Sequence, residues 1–201
     1  MHVPDFFGQV PRIALRDALA DTLGAAAGGV LEYSYVDAVK LAGHSCPTVA
    51  GAYLMTRAAL ARLYPGELPR RGELRVELRE PQESGTAGVI AAVAGLITGA
   101  AGPGGFKGLA GRHARRDLLA FGAGIGGELR LTRLDSGRSV QVSHHTEVVP
   151  RPPGLNDLLR GALAPGADAD ARAAFASAWQ GWVRTIVLEH ADDPAFIELR
   201  D

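Results

Sequence analysis

Residues 73–79 read Glu-Leu-Arg-Val-Glu-Leu-Arg and lie at the centre of a predicted mixed fold. Apolar residues alternate strictly with charged ones, which is typical of a β-strand with one face in a core. Small and aliphatic residues follow from Thr86 to Gly99, and this run favours a helix whose glycines allow close backbone approach. A strand followed directly by a helix points to an α/β or α+β class.

Toward the carboxyl end, residues 118–122, 128–134 and 138–144 read as three further strands. The last two are joined across Asp135-Ser136-Gly137, which predicts a hairpin. Residues 100–111 are rich in glycine and predict a loop, which we interpret as a flap beside a pocket. Consecutive strands joined by short turns favour a mainly antiparallel sheet, so the expected fold class is α+β.

Toward the amino end, the pattern predicts two helices, one strand and a short helical turn. Pro47 stands where a first helical residue would, and an apolar stripe continues to Tyr64. Residues 30–35 alternate as a strand, and Asp37 can cap a helical turn that ends at Gly43. Apolar spacing between Pro11 and Leu23 predicts a first amphipathic helix.

The proline-rich stretch at 150–153 separates the core from a helical tail. A long helical pattern covers about 168–190 and carries Phe175, Trp179 and Trp182. We interpret these aromatic residues as contacts to the core or to a second copy of the chain. We therefore expect one α+β domain over 1–150, including the N-terminal helix, and a C-terminal helical extension over 151–201 that packs on the core or on a partner subunit.

Composition argues against several classes of partner. The 21 Lys and Arg residues nearly balance the 22 Asp and Glu residues, so we expect neither nucleic acid nor an anionic membrane as a partner. Residues 1–5 lack a secretory signal, and no apolar run approaches the roughly 20 residues of a membrane span. The sole cysteine, Cys46, cannot form an internal disulfide, which fits a cytoplasmic protein.

His44 and Cys46 carry the chemistry that the sequence suggests. They flank Ser45 just before a predicted helix, where the helix dipole favours a thiolate. Imidazole and thiolate are ligands for zinc, iron, nickel or copper, but two ligands fill only half of a tetrahedral shell. The alternative is that Cys46 is a small core residue and His44 a hydrogen-bonded loop histidine.

The segment Gly43-His44-Ser45-Cys46-Pro47, followed by Gly51 and Tyr53 on a small-residue helix, resembles the motif of the FmdE-like family of formylmethanofuran dehydrogenase components, which reads His-Gly-His-x-Cys-Pro-Gly. Residues 88–99 and 111–114 resemble two further segments of that family. Ala42 and Thr48 stand where the family has His and Gly, and Gly85, Gly88 and Ala91 stand where it has Cys, Asp and Gln. His44 and Cys46 are retained.

The resemblance implies an FmdE-like α+β core, a homodimer and a metal near His44 and Cys46. From the ligand types we prefer a transition metal, zinc first, and haem with His or Cys as axial ligand is the weaker alternative. The resemblance also implies that His113 faces the same pocket, as a third ligand or an acid–base partner. It does not imply oxidation of formylmethanofuran, which belongs to other components of such complexes.

Three functions follow as hypotheses. The first is a metal-binding protein in which His44 and Cys46 hold the metal beside a site for a small ligand or substrate. The second is a metal-free thiol-dependent enzyme, with Cys46 as nucleophile and His44 or His113 as base. The third is a degenerate, non-catalytic structural or regulatory partner.

Other polar residues have simpler interpretations. Glu83, Ser84 and Thr86 precede the small-residue helix; Ser84 or Thr86 can cap it, or one of the three can meet a ligand. His144 and His145 are adjacent in a strand and point to opposite faces, so we interpret them as structural. The glycines of the 99–111 loop lack the Gly-Lys-Ser/Thr ending of a nucleotide-binding loop.

Overall fold

The computed structural model describes residues 3–201 and confirms the α+β class. Met1 and His2, the first two residues of the predicted core, lie outside the described residues. The helices are α1 (Ala18–Thr22), α2 (Tyr35–Ala42), α3 (Pro47–Leu63), α4 (Ala87–Thr98), α5 (Leu155–Leu163) and α6 (Ala169–Arg184). The strands are β1 (Ile13–Asp17), β2 (Val30–Tyr33), β3 (Arg70–Arg71), β4 (Leu74–Leu78), β5 (Leu119–Ala120), β6 (Leu129–Arg133), β7 (Ser139–His144) and β8 (Ile197–Arg200).

The strands form two sheets rather than one. A three-stranded sheet has the order β2-β1-β3, and a five-stranded sheet has the order β5-β4-β6-β7-β8. Among the described residues only the β1–β3 and β4–β5 pairs are parallel, which agrees with the expected antiparallel character. In β4 the side chains of Leu74, Val76 and Leu78 are buried, as the alternation predicts.

The predicted N-terminal helix is wrong over its first half. Residues 13–17 form β1, and only α1 is helical, because Ile13 and Leu15 are spaced as in a strand and both are buried. Asp17 ends the strand, and its Oδ1 accepts hydrogen bonds from the N–H groups of Leu19 (2.9 Å) and Ala20 (3.1 Å), which starts α1.

The C-terminal tail is not wholly helical. α5 and α6 follow the proline-rich stretch, and a π-helical segment covers Thr185–Glu189. The chain then returns as β8, which pairs antiparallel with β7 and completes the main sheet. The sequence pattern did not reveal this strand because its four residues are too few for a clear alternation. The core therefore extends beyond the predicted boundary at residue 150.

α3 is the central helix of the core. Apolar side chains on nearly every face of this helix are buried. The helix packs against α4, β7 and β8. Tyr53 ties it to the smaller sheet, because its hydroxyl donates to the carbonyls of Pro11 (2.8 Å) and Tyr33 (3.0 Å). Cys46 at its start is therefore held on a rigid element.

Candidate functional site

The segment that contains His44 and Cys46 is placed as predicted. α2 ends at Gly43, whose φ of 74° is the left-handed conformation that glycine adopts without strain. α3 begins at Pro47, and Cys46 is its N-cap, with Sγ accepting a hydrogen bond from the N–H of Val49 at 3.5 Å. The thiol therefore stands at the positive end of a 17-residue helix.

Ser45 anchors this segment to the rest of the core. Its hydroxyl lies 2.9 Å from the hydroxyl of Tyr35. Its carbonyl accepts hydrogen bonds from Nε1 of Trp179 (2.9 Å) and Nε2 of Gln180 (3.2 Å) on α6. Trp182 donates in turn to the carbonyl of Val149 at 3.2 Å. The two tryptophans of α6 are therefore packing contacts to the core of the same chain.

The His44 and Cys46 side chains differ in their surroundings. His44 is exposed, and its Nδ1 lies 3.0 Å from the carbonyl oxygen of Ala42 in the same turn. Cys46 is half-buried against the hydrophobic core. Within residues 3–201 no group of three His, Cys, Asp or Glu side chains is arranged to hold a metal ion. The metal site at His44 and Cys46 therefore stays a prediction.

His113 belongs to another part of the surface. It lines a cavity of about 220 Å³ together with Ala18 of α1 and residues 71–73, just before β4, and neither His44 nor Cys46 lines that cavity. Its backbone φ of 61° lies in the left-handed region, which is uncommon outside glycine. The assignment of His113 as a partner of Cys46 stays a prediction.

A second site, which the sequence did not reveal, is centred on Glu128 and His144. Oε2 of Glu128 accepts a hydrogen bond from the backbone N–H of His144 (2.9 Å) and lies 2.7 Å from its Nδ1. An ionised carboxylate is only an acceptor, so Nδ1 is the protonated nitrogen. The imidazole is 8% exposed and lies against Gly51 of α3, where an added Cβ would be 2.4 Å from Cδ2.

The electrostatics of this pair keep Glu128 charged. Burial raises the pKa of Glu128, but the hydrogen bonds and the charge of His144 outweigh it, so the pKa lies below its ordinary value. The carboxylate is therefore ionised at neutral pH. The neighbouring His145 bonds differently, to Glu198 (3.3 Å) and Glu147 (3.1 Å), as expected for the opposite face of the strand.

Glu128 lines a cavity of about 210 Å³ at the amino end of α4. Its lining combines apolar residues, Leu78, Ala87 and Ile90, with polar ones, Glu80, Ser84, Thr86 and Glu128. Thr86 is the N-cap residue of α4, but its side chain makes no capping hydrogen bond within the described chain. The hydroxyl groups that we expected to cap this helix or to meet a ligand therefore border the cavity.

A signal for His144 was present in the sequence. Val140, Val142 and His144 are two residues apart and so share the inward face of β7, where an imidazole needs a buried partner. Glu128 itself carried no such signal, because only the pairing of β6 with β7 brings it beside His144.

Comparisons with known proteins do not name a relative. No family model matches this chain, and no curated protein matches it. In residues 3–201 no helix combines the length and the apolar character that crossing a membrane requires. The FmdE-like resemblance therefore rests on the sequence motif alone.

Proposed function

We propose that this protein binds a small molecule in the Glu128 cavity and holds its amine or amide donor against the Glu128 carboxylate. The observation that carries the proposal is a partly buried, ionised carboxylate that lines a cavity with several apolar residues in its lining. Two hydrogen bonds from His144 hold this carboxylate in position. The Glu128 carboxylate also lines the cavity, where a ligand ammonium can donate a charge-assisted hydrogen bond to it.

The lowered pKa favours binding over proton abstraction. A general base works best when its pKa lies near the operating pH, whereas the pKa of Glu128 is moved further below it. Glu80 adds a second carboxylate at the rim, where Arg79 partly offsets its charge at 3.1 Å. His144 is then a positioning residue, since it holds Glu128 and does not line the cavity.

The cavity limits the size and shape of the ligand. Its volume of about 210 Å³ is below the usual range for drug-sized ligands. Aliphatic side chains make up part of the lining, and carboxylate and hydroxyl side chains make up the rest. We therefore expect a compact ligand with an apolar body and one donor group.

Binding of benzylamine, with benzyl alcohol and benzoate as neutral and anionic analogues, tests the proposal by titration calorimetry. We expect benzylamine to bind best and benzoate worst, and Glu128→Gln to weaken benzylamine about tenfold, the value of one charge-assisted hydrogen bond. Glu83→Gln is the matched control, because Glu83 is exposed and does not line the cavity. Equal affinity for benzoate, or an equal loss in the control, would refute the proposal.

We further propose a transition metal at His44 and Cys46 as a second function. The position of Cys46 at the start of α3 supports it, because the sulfur, a zinc ligand, lies at the positive end of the helix dipole. Since one chain offers only two donors there, a second copy of the chain or a small ligand has to complete the shell. Completion by a second copy would make the protein a homodimer.

Elemental analysis of the purified protein tests the metal proposal, together with molar mass from light scattering. Stoichiometric zinc that is lost in Cys46→Ser supports it. Metal-free protein whose thiol is alkylated rapidly near neutral pH supports the thiol-dependent enzyme instead. Protein that shows neither behaviour is the non-catalytic partner.

A further inference from the structure

β8 is an edge strand of the five-stranded sheet. It pairs with β7 on one side, and no strand within residues 3–201 pairs with it on the other. A free edge presents a row of backbone N–H and C=O groups that can bond a further strand. Edges are often blocked by proline or lysine, and the strand Ile197–Arg200 contains neither. The sheet is therefore open to a further strand at β8.

The pairing with β7 shows which backbone groups face the open edge. The N–H of His145 donates to the carbonyl of Phe196 at 2.9 Å, so that carbonyl points toward β7. The backbone groups of successive residues in an antiparallel strand point alternately to the two sides, so those of Ile197 and Leu199 face away from β7. The N–H of Ile197 donates to the carbonyl of Asp193 at 2.9 Å. The N–H and C=O of Leu199 are thus placed to bond a further strand.

The side chains of β8 divide between the two faces of the sheet. Ile197 and Leu199 line a groove of about 330 Å³ together with residues of α3, and Leu199 is 39% exposed. Glu198 and Arg200 lie on the opposite face, where the Glu198 carboxylate accepts from Nε of Arg200 at 2.9 Å. An exposed leucine on one face and a balanced charge pair on the other form a surface that a second copy can cover without burying excess charge.

The charge pattern of β8 selects one alignment with a second copy. In an antiparallel pair related by a twofold axis, alignment on Leu199 places each Glu198 opposite the partner's Arg200. The two neighbouring alignments that keep the outward backbone groups in bonding positions place Glu198 opposite Glu198, or Arg200 opposite Arg200. Like charges directly opposite each other are destabilising, so the alignment on Leu199 is favoured.

The same alignment bonds the outward backbone groups. Leu199 lies opposite the partner's Leu199, so each N–H donates to the carbonyl of the other copy. Ile197 lies opposite the partner's Asp201, whose N–H can donate to the outward carbonyl of Ile197. The two Leu199 side chains meet on the α3 side of the sheet, where the groove lies.

We propose that two copies of this chain form a symmetric dimer by pairing β8 with β8, aligned on Leu199, so that their main sheets become one continuous sheet. The partner is a second copy because the charge pattern of the strand complements itself. The inference is independent of the metal proposed at His44 and Cys46, since neither residue belongs to β8.

Sedimentation velocity of the full chain over a range of micromolar concentrations tests the proposal. The paired strands are short and bury less surface than a standard stable interface, so we expect the mass to rise with concentration from one chain toward two. Cys46→Ser and a chelator should leave this rise unchanged. A chain that stays monomeric throughout would refute the proposal, as would a dimer that Cys46→Ser or the chelator abolishes, which metal would bridge instead.

Charge reversal distinguishes this interface from any other. Glu198→Arg and Arg200→Glu each place like charges opposite each other in both symmetric pairs, so we expect about tenfold weaker self-association for either variant. The double variant restores opposite charges and should restore the dimer. Arg75→Glu is the matched control, because Arg75 is exposed on β4, three strands away from β8. Equal weakening in the control, or no recovery in the double variant, would overturn the assignment.

A backbone variant tests the hydrogen bonds across the edge. The N–H of Leu199 faces away from β7, so Leu199→Pro removes no bond to β7 but blocks the pairing with a second copy. We expect a folded monomer, with folding checked by circular dichroism. Dimerisation like that of the wild type would contradict the proposal. If this variant does not fold, the charge-reversal set decides, because it leaves the backbone unchanged.

Discussion

The two ends of the β4–α4 unit carry cavities of nearly equal volume and opposite charge. The end of β4 and the start of α4 border the acidic Glu128 cavity, whereas residues 71–73, just before β4, border the basic Arg115 cavity, which His113 also lines. The N–H of Gly72 donates to the carbonyl of Thr98 at 2.7 Å, so the carboxyl end of α4 lies beside the start of β4. Carboxylates thus lie at the positive end of the helix and guanidinium groups at the negative end, as the helix dipole favours.

The ends differ in how their charges are compensated. Burial raises the pKa of Asp17. Arg71, the N–H of Ala20 and Arg115 together lower it by more, so the pKa lies below its ordinary value. Asp17 is enclosed by cations, while the Glu128 side chain is 25% exposed and pairs with the His144 imidazole. The basic end is therefore a buried structural cluster, in which Asp17 pairs with Arg71 and Arg115, whereas the acidic end keeps its carboxylate partly exposed.

Breaking the structural cluster should cost the most stability. Asp17→Asn leaves two arginines without their shared counter-charge, and we expect a loss of about 3–5 kcal/mol in the free energy of unfolding by urea. The exposed pair of Arg62 and Asp201 provides the control, since Asp201→Asn should cost far less stability. Similar losses in the two variants would remove the distinction between the cluster and an ordinary surface pair.

The next prediction concerns the packing behind the acidic end. Gly51→Ala places a Cβ 2.4 Å from the His144 ring, so overpacking of about 1–3 kcal/mol should outweigh the helix propensity gained. At Gly181 in α6 an added Cβ has no described atom within 4 Å, so Gly181→Ala should stabilise by up to about 1 kcal/mol. Urea unfolding measures both, and stabilisation by both would show that His144 is free to move.

A smaller effect depends on pH. The pKa of Glu128 is lower in the folded state than in the unfolded state. Its contribution to the free energy of unfolding is therefore fully present above the unfolded pKa of about 4.3, and it is lost as the pH falls through the folded pKa. Glu128→Gln should therefore cost about 1.5 kcal/mol at neutral pH and progressively less in acid. Urea unfolding across this range, with Glu83→Gln as control, checks it. A cost that does not depend on pH would contradict the charge assignment.

The last prediction asks whether the segment from Gly43 to Pro47 is independent of both ends. Trp179→Phe removes the hydrogen bond to Ser45 and should cost about 1 kcal/mol, raising the rate of Cys46 modification by up to about fivefold. Trp182→Phe loses a comparable bond, to Val149, and should leave that rate unchanged. A colorimetric thiol assay measures the rate. Equal acceleration in both variants would indicate a general loosening of α6.

Local patterns predicted much of the fold. The start of α3 at Pro47, the strand over residues 74–78, the helix that ends at Gly99 and the β6–β7 hairpin follow from capping, alternation and turn residues, which are encoded within a few positions. β1 was mistaken for a helix because apolar residues at 13, 15, 18 and 19 fit both periods, and Asp17 decides between them only by capping α1.

The amino-acid sequence was sufficient for the α+β class, for the position of Cys46 at a helix start and for the near balance of charge that argues against nucleic acid. The tertiary structure decided which charged groups pair with each other. Glu128 and His144 are 16 residues apart, and Asp17 and Arg115 are 98 apart. Both pairs depend on strand register and on the return of α4 along β4. Such pairings follow from the burial of distant apolar faces against each other, and no short pattern in the chain records them.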